Sequence, residues 1–183
     1  MENNQEIIEK VLESAEYGDL VTLRKLLNYY KPDLNCKVEI GKEYNLEEYD
    51  EVPLLFYLIM NHVSFEAILL MLDSGMDLEV TNSEGLSVID LAIKFHRIDI
   101  LDLCKARGMD FNKTKRKSGM TPLMLAAAFN DVEILKYLLK EGVNKEAVDK
   151  RGMSALDYAK KMRNQKAQDI LENGFIDSES EVF

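Results

Sequence analysis

The stretch GMTPLMLAAAFNDVEILKYLLKEG, residues 119–142, decides the fold. Thr121 stands where an N-cap belongs, and Pro122 follows at the first helical position, where its missing N–H costs little. Leu123, Leu125, Ala126 and Ala127 are too small-sided for an isolated amphipathic helix and suit one packed on both flanks. Phe129-Asn130-Asp131 breaks the run, and Asp131 offers a cap to a second helix. There Val132, Ile134, Leu135, Leu138 and Leu139 keep the i, i+3, i+4 spacing of a helical face. Gly142 ends it where a left-handed residue is wanted. The product is a helical hairpin that cannot bury its apolar surface alone.

The hairpin recurs. Gly85, Gly119 and Gly152 are 34 and 33 residues apart, each followed two residues later by Ser87, Thr121 or Ser154. A second series, Gly75, Gly108 and Gly142, runs at 33 and 34, with Ile89, Leu123 and Leu156, then Ala92, Ala126 and Ala159, between them. With its T-P-L-x-x-A start and a period near 33, TPLMLAAAFNDVEILKYLLKEG resembles an ankyrin repeat. Met124 stands where that family usually has histidine, so one of its stabilising hydrogen bonds is expected to be absent. The resemblance implies an all-α ankyrin-repeat solenoid of stacked helix–turn–helix units with β-hairpin fingers.

Five units follow, at about 3–35, 50–82, 82–115, 116–148 and 149–174. They are expected to make one domain over residues 1–174, with an acidic tail at 175–183. In the first, Ile7, Ile8, Val11, Leu12 and Ala15 form one face, and Glu2, Glu6, Glu9, Glu13 and Glu16 the other, as in a terminal cap. The second has Tyr57 and Leu58 in place of small alanines, so its packing must differ. The third, NSEGLSVIDLAIKFHRIDILDLCKARG, has Val88 for the proline and Asp90 for the histidine. The fifth has a polar outer surface, including Lys160, Lys161, Arg163 and Lys166, suited to a C-terminal cap.

Between residues 32 and 52 the pattern departs from the family. Val38 and Ile40 alternate with charged residues, Gly41-Lys42 is a candidate turn, and an acidic stretch with two tyrosines follows. An enlarged hairpin near 33–52 is expected. Fingers of this family project towards partners, so Tyr44, Glu47, Glu48, Tyr49, Asp50 and Glu51 are candidate binding residues. A variable insertion that touches nothing is the alternative.

Charge is uneven. Residues 1–82 carry 17 acids and 6 bases, and residues 83–174 carry 13 acids and 17 bases, within a net −10. The imbalance points to a partner that is basic where it meets the first repeats. It speaks against nucleic acid, because a duplex repels an acidic surface. Solubility alone is the competing explanation. The basic run Lys113-Thr114-Lys115-Arg116-Lys117 is read as a solvated hairpin tip, with an anion or acidic-peptide contact, or a localisation signal, as the alternatives. Two cysteines argue against a disulfide scaffold. The polar N-terminus is no signal peptide, and the longest apolar run, 52–60, is too short to span a membrane. A monomeric, cytoplasmic protein without membrane contact is the expectation.

No nucleophile elbow, phosphate loop or dinucleotide fingerprint is present. His62 and His96 fall in the turns between paired helices, away from any metal-ligand spacing. Cys104 aligns with Leu138 and reads as a small buried hydrophobe, whereas Cys36 lies at the hairpin edge. No catalytic, cofactor-binding or metal site is expected.

One constellation does emerge from the period. Leu86, Met120 and Met153 follow the hairpin glycines, and Phe95, Phe129 and Met162 end the first helices. The resemblance implies that these positions face a concave groove, giving an apolar stripe for a partner. A protein-binding module is therefore expected. A stoichiometric inhibitor or immunity protein against a basic toxin or enzyme is the alternative, and an enzyme or small-ligand protein has no supporting motif.

Overall fold

The computed structural model describes residues 3–40 and 51–175. Among them, helices α1 (Asn4–Glu16) and α2 (Leu20–Tyr30) are followed by strands β1 (Lys37–Glu39) and β2 (Glu51–Pro53). Then come the helix pairs α3 (Leu54–Met60) with α4 (Phe65–Asp73), and α5 (Val88–Lys94) with α6 (Ile98–Ala106). The pairs α7 (Pro122–Phe129) with α8 (Val132–Lys140), and α9 (Ala155–Lys161) with α10 (Gln165–Asn173), complete the order. The chain divides into two compact units, residues 1–91 and 92–183.

In the first unit Asn3 and Glu6 close a capping box on α1, Glu6 N–H donating to Asn3 Oδ1 at 2.8 Å. Asp19 caps α2 through Thr22 N–H, and Ser64 caps α4 through Ala67 N–H. These caps satisfy helix N–H groups that have no partner within the helix. The core gathers Val11, Leu23, Leu58, Ile59, Ile68 and Met71, all without solvent exposure. Leu58 thus takes up the space that small residues leave elsewhere, and Tyr57 donates its hydroxyl to Glu16 Oε1 at 2.7 Å. That bond is how the second pair accommodates a tyrosine at this position.

The strands are antiparallel, Lys37 opposite Pro53, Val38 opposite Val52 and Glu39 opposite Glu51. Residues 40–50 therefore lie between the paired ends. The strand pair is the enlarged hairpin expected near 33–52; Gly41-Lys42, the candidate turn, lies outside the described residues. The frame measures the insertion. Asp33, Asp77, Asp110 and Asn144 each accept, at Oδ1, the N–H two residues on, and the first step is 44 residues where the others are 33 and 34.

In the second unit α7 packs against both α8 and α9. Ala126 and Ala127 are fully buried there, which is why this helix carries small residues. Thr121 Oγ1 accepts from Met124 N–H, Pro122 sits in the first turn, and Asn130 ends the helix at φ 56°. Asp131 caps α8 through Ile134 N–H at 3.0 Å, and Gly142 follows that helix at φ 74°. Met124 partly replaces the expected histidine, since Thr121 N–H lies 3.4 Å from its Sδ. Aspartate does better: Asp90 Oδ2 accepts from Ser87 N–H and Oγ, as Asp157 Oδ2 does from Ser154. Ser87 and Asp90 thus form a capping box, since Asp90 N–H also donates to Ser87 Oγ.

Candidate functional site

The fingers and the helix-pair turns position the candidate residues. Asn82 and Asp149 close their tips alike. Glu84 and Leu86 N–H groups donate to Asn82 Oδ1, and Arg151 and Met153 N–H groups donate to Asp149 Oδ1. These bonds hold Leu86 in the first unit and Met153 in the second, and both are half-buried, as is Met120. Asp149 is itself buried, and backbone donors with the Tyr158 hydroxyl keep its carboxyl below the usual range.

Each first helix ends in a residue followed by one at positive φ: Tyr17-Gly18, Asn61-His62, Phe95-His96, Phe129-Asn130 and Met162-Arg163. Left-handed backbone turns the chain into the second helix and leaves the preceding side chain at the helix end. Phe129 and Met162 are 52% and 55% exposed, whereas Phe95 is half-buried with Lys94 Nζ 5.5 Å from its ring centroid. Tyr17, 83% exposed, occupies the same position in the first unit. Sequence reasoning missed it because the polar Asn61 and the 44-residue step interrupt the series. The signal was the aromatic immediately before Gly18.

Of the hairpin candidates, Tyr44, Glu47, Glu48, Tyr49 and Asp50 lie outside the described residues. Glu51 is exposed and faces Glu39 across the strand pair. Like charges directly opposite on a sheet repel. A second exposed apolar surface, not foreseen, lies along α2, where Tyr29 and Tyr30 meet edge to face with centroids 4.8 Å apart.

Inside the second unit, polar links tie one helix pair to the next. His96 Nδ1 lies 2.6 Å from Asp131 Oδ2, and its Nε2 lies 3.3 Å from Glu133 Oε2. The Asp131 hydrogen bond and the two carboxylates raise the His96 pKa above 6.5. Tyr137 donates to Asp102 Oδ1 at 2.8 Å, Lys105 pairs with Glu141 at 2.7 Å, and Asn164 Nδ2 donates to the carbonyls of Ala127 and Ala128. His96 is therefore a turn residue with a structural partner.

Among the described residues, no three His, Cys, Asp or Glu side chains are grouped to hold a metal. Cys104 is fully buried, and burial pushes its thiol up to about 12. A cavity of about 10 Å³ beside Leu34, Cys36, Leu54 and Met76 has room for at most one water. No described helix is long and apolar enough to cross a membrane. The arrangement offers surfaces for contact.

Stacked helical hairpins with capped first turns and closed fingers define the ankyrin class, and residues 102–179 match the family model for ankyrin repeats in three copies. Residues 102–179 thus carry ankyrin repeats, and the helical architecture fits an all-α ankyrin solenoid. It is 35% identical over 98 residues to the NF-kappa-B inhibitor cactus of Drosophila melanogaster, a match covering 52% of this chain and 20% of cactus. It is 34% identical over 107 residues to the B-cell lymphoma 3 protein homolog of Mus musculus, covering 56% of this chain and 24% of that protein. The chain thus spans about a fifth to a quarter of the length of these relatives.

Proposed function

We propose that the chain is a non-enzymatic module that binds a protein partner through its groove positions and fingers. The observation that carries this reading is the exposure of Phe129 and Met162, large apolar side chains at equivalent helix ends of successive repeats in the second unit. Burying such side chains on a partner gains about 1.5–3 kcal/mol each. Phe95, Met120 and Met153 flank them in sequence position, and Leu86 holds the corresponding finger position in the first unit. Residues 1–174 are taken as one repeat domain of a monomeric, cytoplasmic protein.

The partner is basic where it meets the first repeats. Residues 1–82 carry eleven more acids than bases, and Glu39 stands opposite Glu51, so a cation placed there relieves repulsion. Tyr44, Glu47, Glu48, Tyr49 and Asp50 are proposed to join Glu51 in that contact. The net charge of −10 disfavours nucleic acid and anionic membrane surfaces.

A stoichiometric inhibitor is the second reading, favoured by the likeness to cactus, an inhibitor by name. In it the module covers a basic enzyme or factor and abolishes its activity.

The test compares wild type with the double variant Phe129→Glu/Met162→Glu in affinity capture from the native host, followed by affinity measurement on the purified partner. The variant keeps its circular dichroism and loses at least about tenfold in affinity. A partner held equally by both proteins sinks the groove reading. Loss of the partner's activity at one equivalent selects the inhibitor.

A further inference from the structure

Asn82, Arg116 and Asp149 occupy one position, each three residues before a finger glycine. Two of them close the finger with a side-chain oxygen. Arg116 has no acceptor in its side chain. Its finger closes through other groups: Arg116 N–H donates to Thr114 Oγ1 at 3.1 Å, Met120 N–H to Ser118 Oγ at 3.3 Å, and Gly119 N–H to Arg116 O at 3.0 Å. The guanidinium lies against Met120, its Nη1 3.8 Å from Sδ. A cation is thereby set against one of the apolar groove positions.

The neighbouring finger adds to it. Lys150 N–H donates to Ser118 O at 3.1 Å, and a Cβ on Gly119 would lie 3.3 Å from both Lys150 N and Cγ. The two tips are therefore fixed side by side within the second unit. Lys115, Lys117, Lys150 and Arg151 are exposed on them, with Arg116 half-buried. The acid that belongs to the second tip, Asp149, is turned inward onto backbone N–H groups and the Tyr158 hydroxyl. Asp110, at the base of the first, lies 3.6 Å from Lys113. Residues 113–118 and 149–151 together hold six basic residues and one acidic one, in a chain of net charge −10.

We propose that these two fingers dock an acidic protein segment, its carboxylates held by Arg116, Lys117, Lys150 and Arg151 and a flanking apolar side chain set against Met120 and Met153. The inference rests on the protein-binding reading above for its apolar half, and its charge half stands on the finger geometry. A guanidinium beside a thioether suits a carboxylate next to an aliphatic residue. Nucleic acid fits less well, since the tips expose no aromatic platform for bases and the acidic first unit repels a long polyanion. The chemistry required here is opposite to that proposed for residues 1–82, so a partner engaging both carries both charges on separate segments.

The test is fluorescence anisotropy on the full chain with a labelled short peptide of glutamates flanking two leucines, its glutamine counterpart, and a labelled oligothymidylate. Wild type binds the glutamate peptide at least about tenfold more tightly than the glutamine peptide, and the preference shrinks as salt rises from about 0.05 to 0.3 M. Arg116→Asn with Lys117→Gln and Lys150→Gln abolishes the preference and leaves thermal unfolding in place, because asparagine restores the tip-closing oxygen seen at Asn82. Lys117→Glu, a single change at an exposed position, weakens the glutamate peptide alone and serves if the triple variant unfolds. Equal binding of both peptides, binding of neither, or oligothymidylate bound as tightly as the glutamate peptide overturns the proposal. The Phe129→Glu/Met162→Glu variant separates the two readings: it keeps the acidic preference if only the groove assignment is wrong.

Discussion

His96 and Asp131 are joined across successive helix pairs, Nδ1 to Oδ2 at 2.6 Å, while the other oxygen of Asp131 caps α8. One carboxylate thus serves its own helix and the preceding turn. Because the folded pKa of His96 is raised above 6.5, the charge-dependent stabilisation is complete below 6.5 and disappears as pH rises through the folded value. The pair is half exposed, so its worth is about 0.5 kcal/mol. Replacing His96 by Asn, which tolerates the left-handed backbone, should lower the urea midpoint more at about pH 5.5 than at pH 8.5. A midpoint difference that does not change with pH would refute the linkage.

Gly119 and Gly142 share a positive φ but differ in surroundings. A Cβ at Gly142 meets nothing within 4 Å, whereas at Gly119 it meets Lys150 at 3.3 Å. Gly142→Ala should cost about 1 kcal/mol for the backbone alone. Gly119→Ala should cost about 1 kcal/mol more through crowding of the adjacent finger. Denaturant titration of the two variants reads the order directly, and the reverse order would contradict the packing of the fingers.

The thiols should separate by burial. Cys104 is fully buried with its pKa near 12, and Cys36 is half-buried. Ellman's reagent at mildly alkaline pH is expected to titrate Cys36 in the native protein and Cys104 only after denaturant is added. Rapid native reaction at Cys104 would mean that α6 opens far more readily than its packing implies.

Asn164 joins the turn before α10 to the end of α7, its amide donating to two carbonyls at 2.9 and 2.8 Å. Asn164→Ala should destabilise by about 1–2 kcal/mol, because both bonds go and the Ala127 carbonyl is left with the Asn130 N–H alone. A change within error would show that water replaces the amide there without cost.

Local and periodic features were legible in the sequence. Thr121, Asp131 and Gly142 act at short range, so their types announced the helix ends. The 33-residue step carried the helical hairpins and the positions of Phe95, Phe129 and Met162. Contacts between repeats were not legible, because His96 meets Asp131 across 35 residues and only stacking brings them together. At Asp90, which replaces the family's usual histidine, a serine three residues earlier is itself a capping signal legible in the sequence. Tyr17 was lost where the insertion shifts the frame. The hairpin register, Glu39 opposite Glu51, belongs to a strand pair with no second copy among the described residues, so the repeat period could not announce it.

That strand pair has a modular consequence. Three opposed residue pairs clamp the chain at 37–39 and 51–53, and beyond them the 33-residue frame resumes. Changes in length or composition between the clamped ends are absorbed there, without shifting the helices that follow. A clamp of this kind uncouples the spacing of the repeats from the length of chain between its ends.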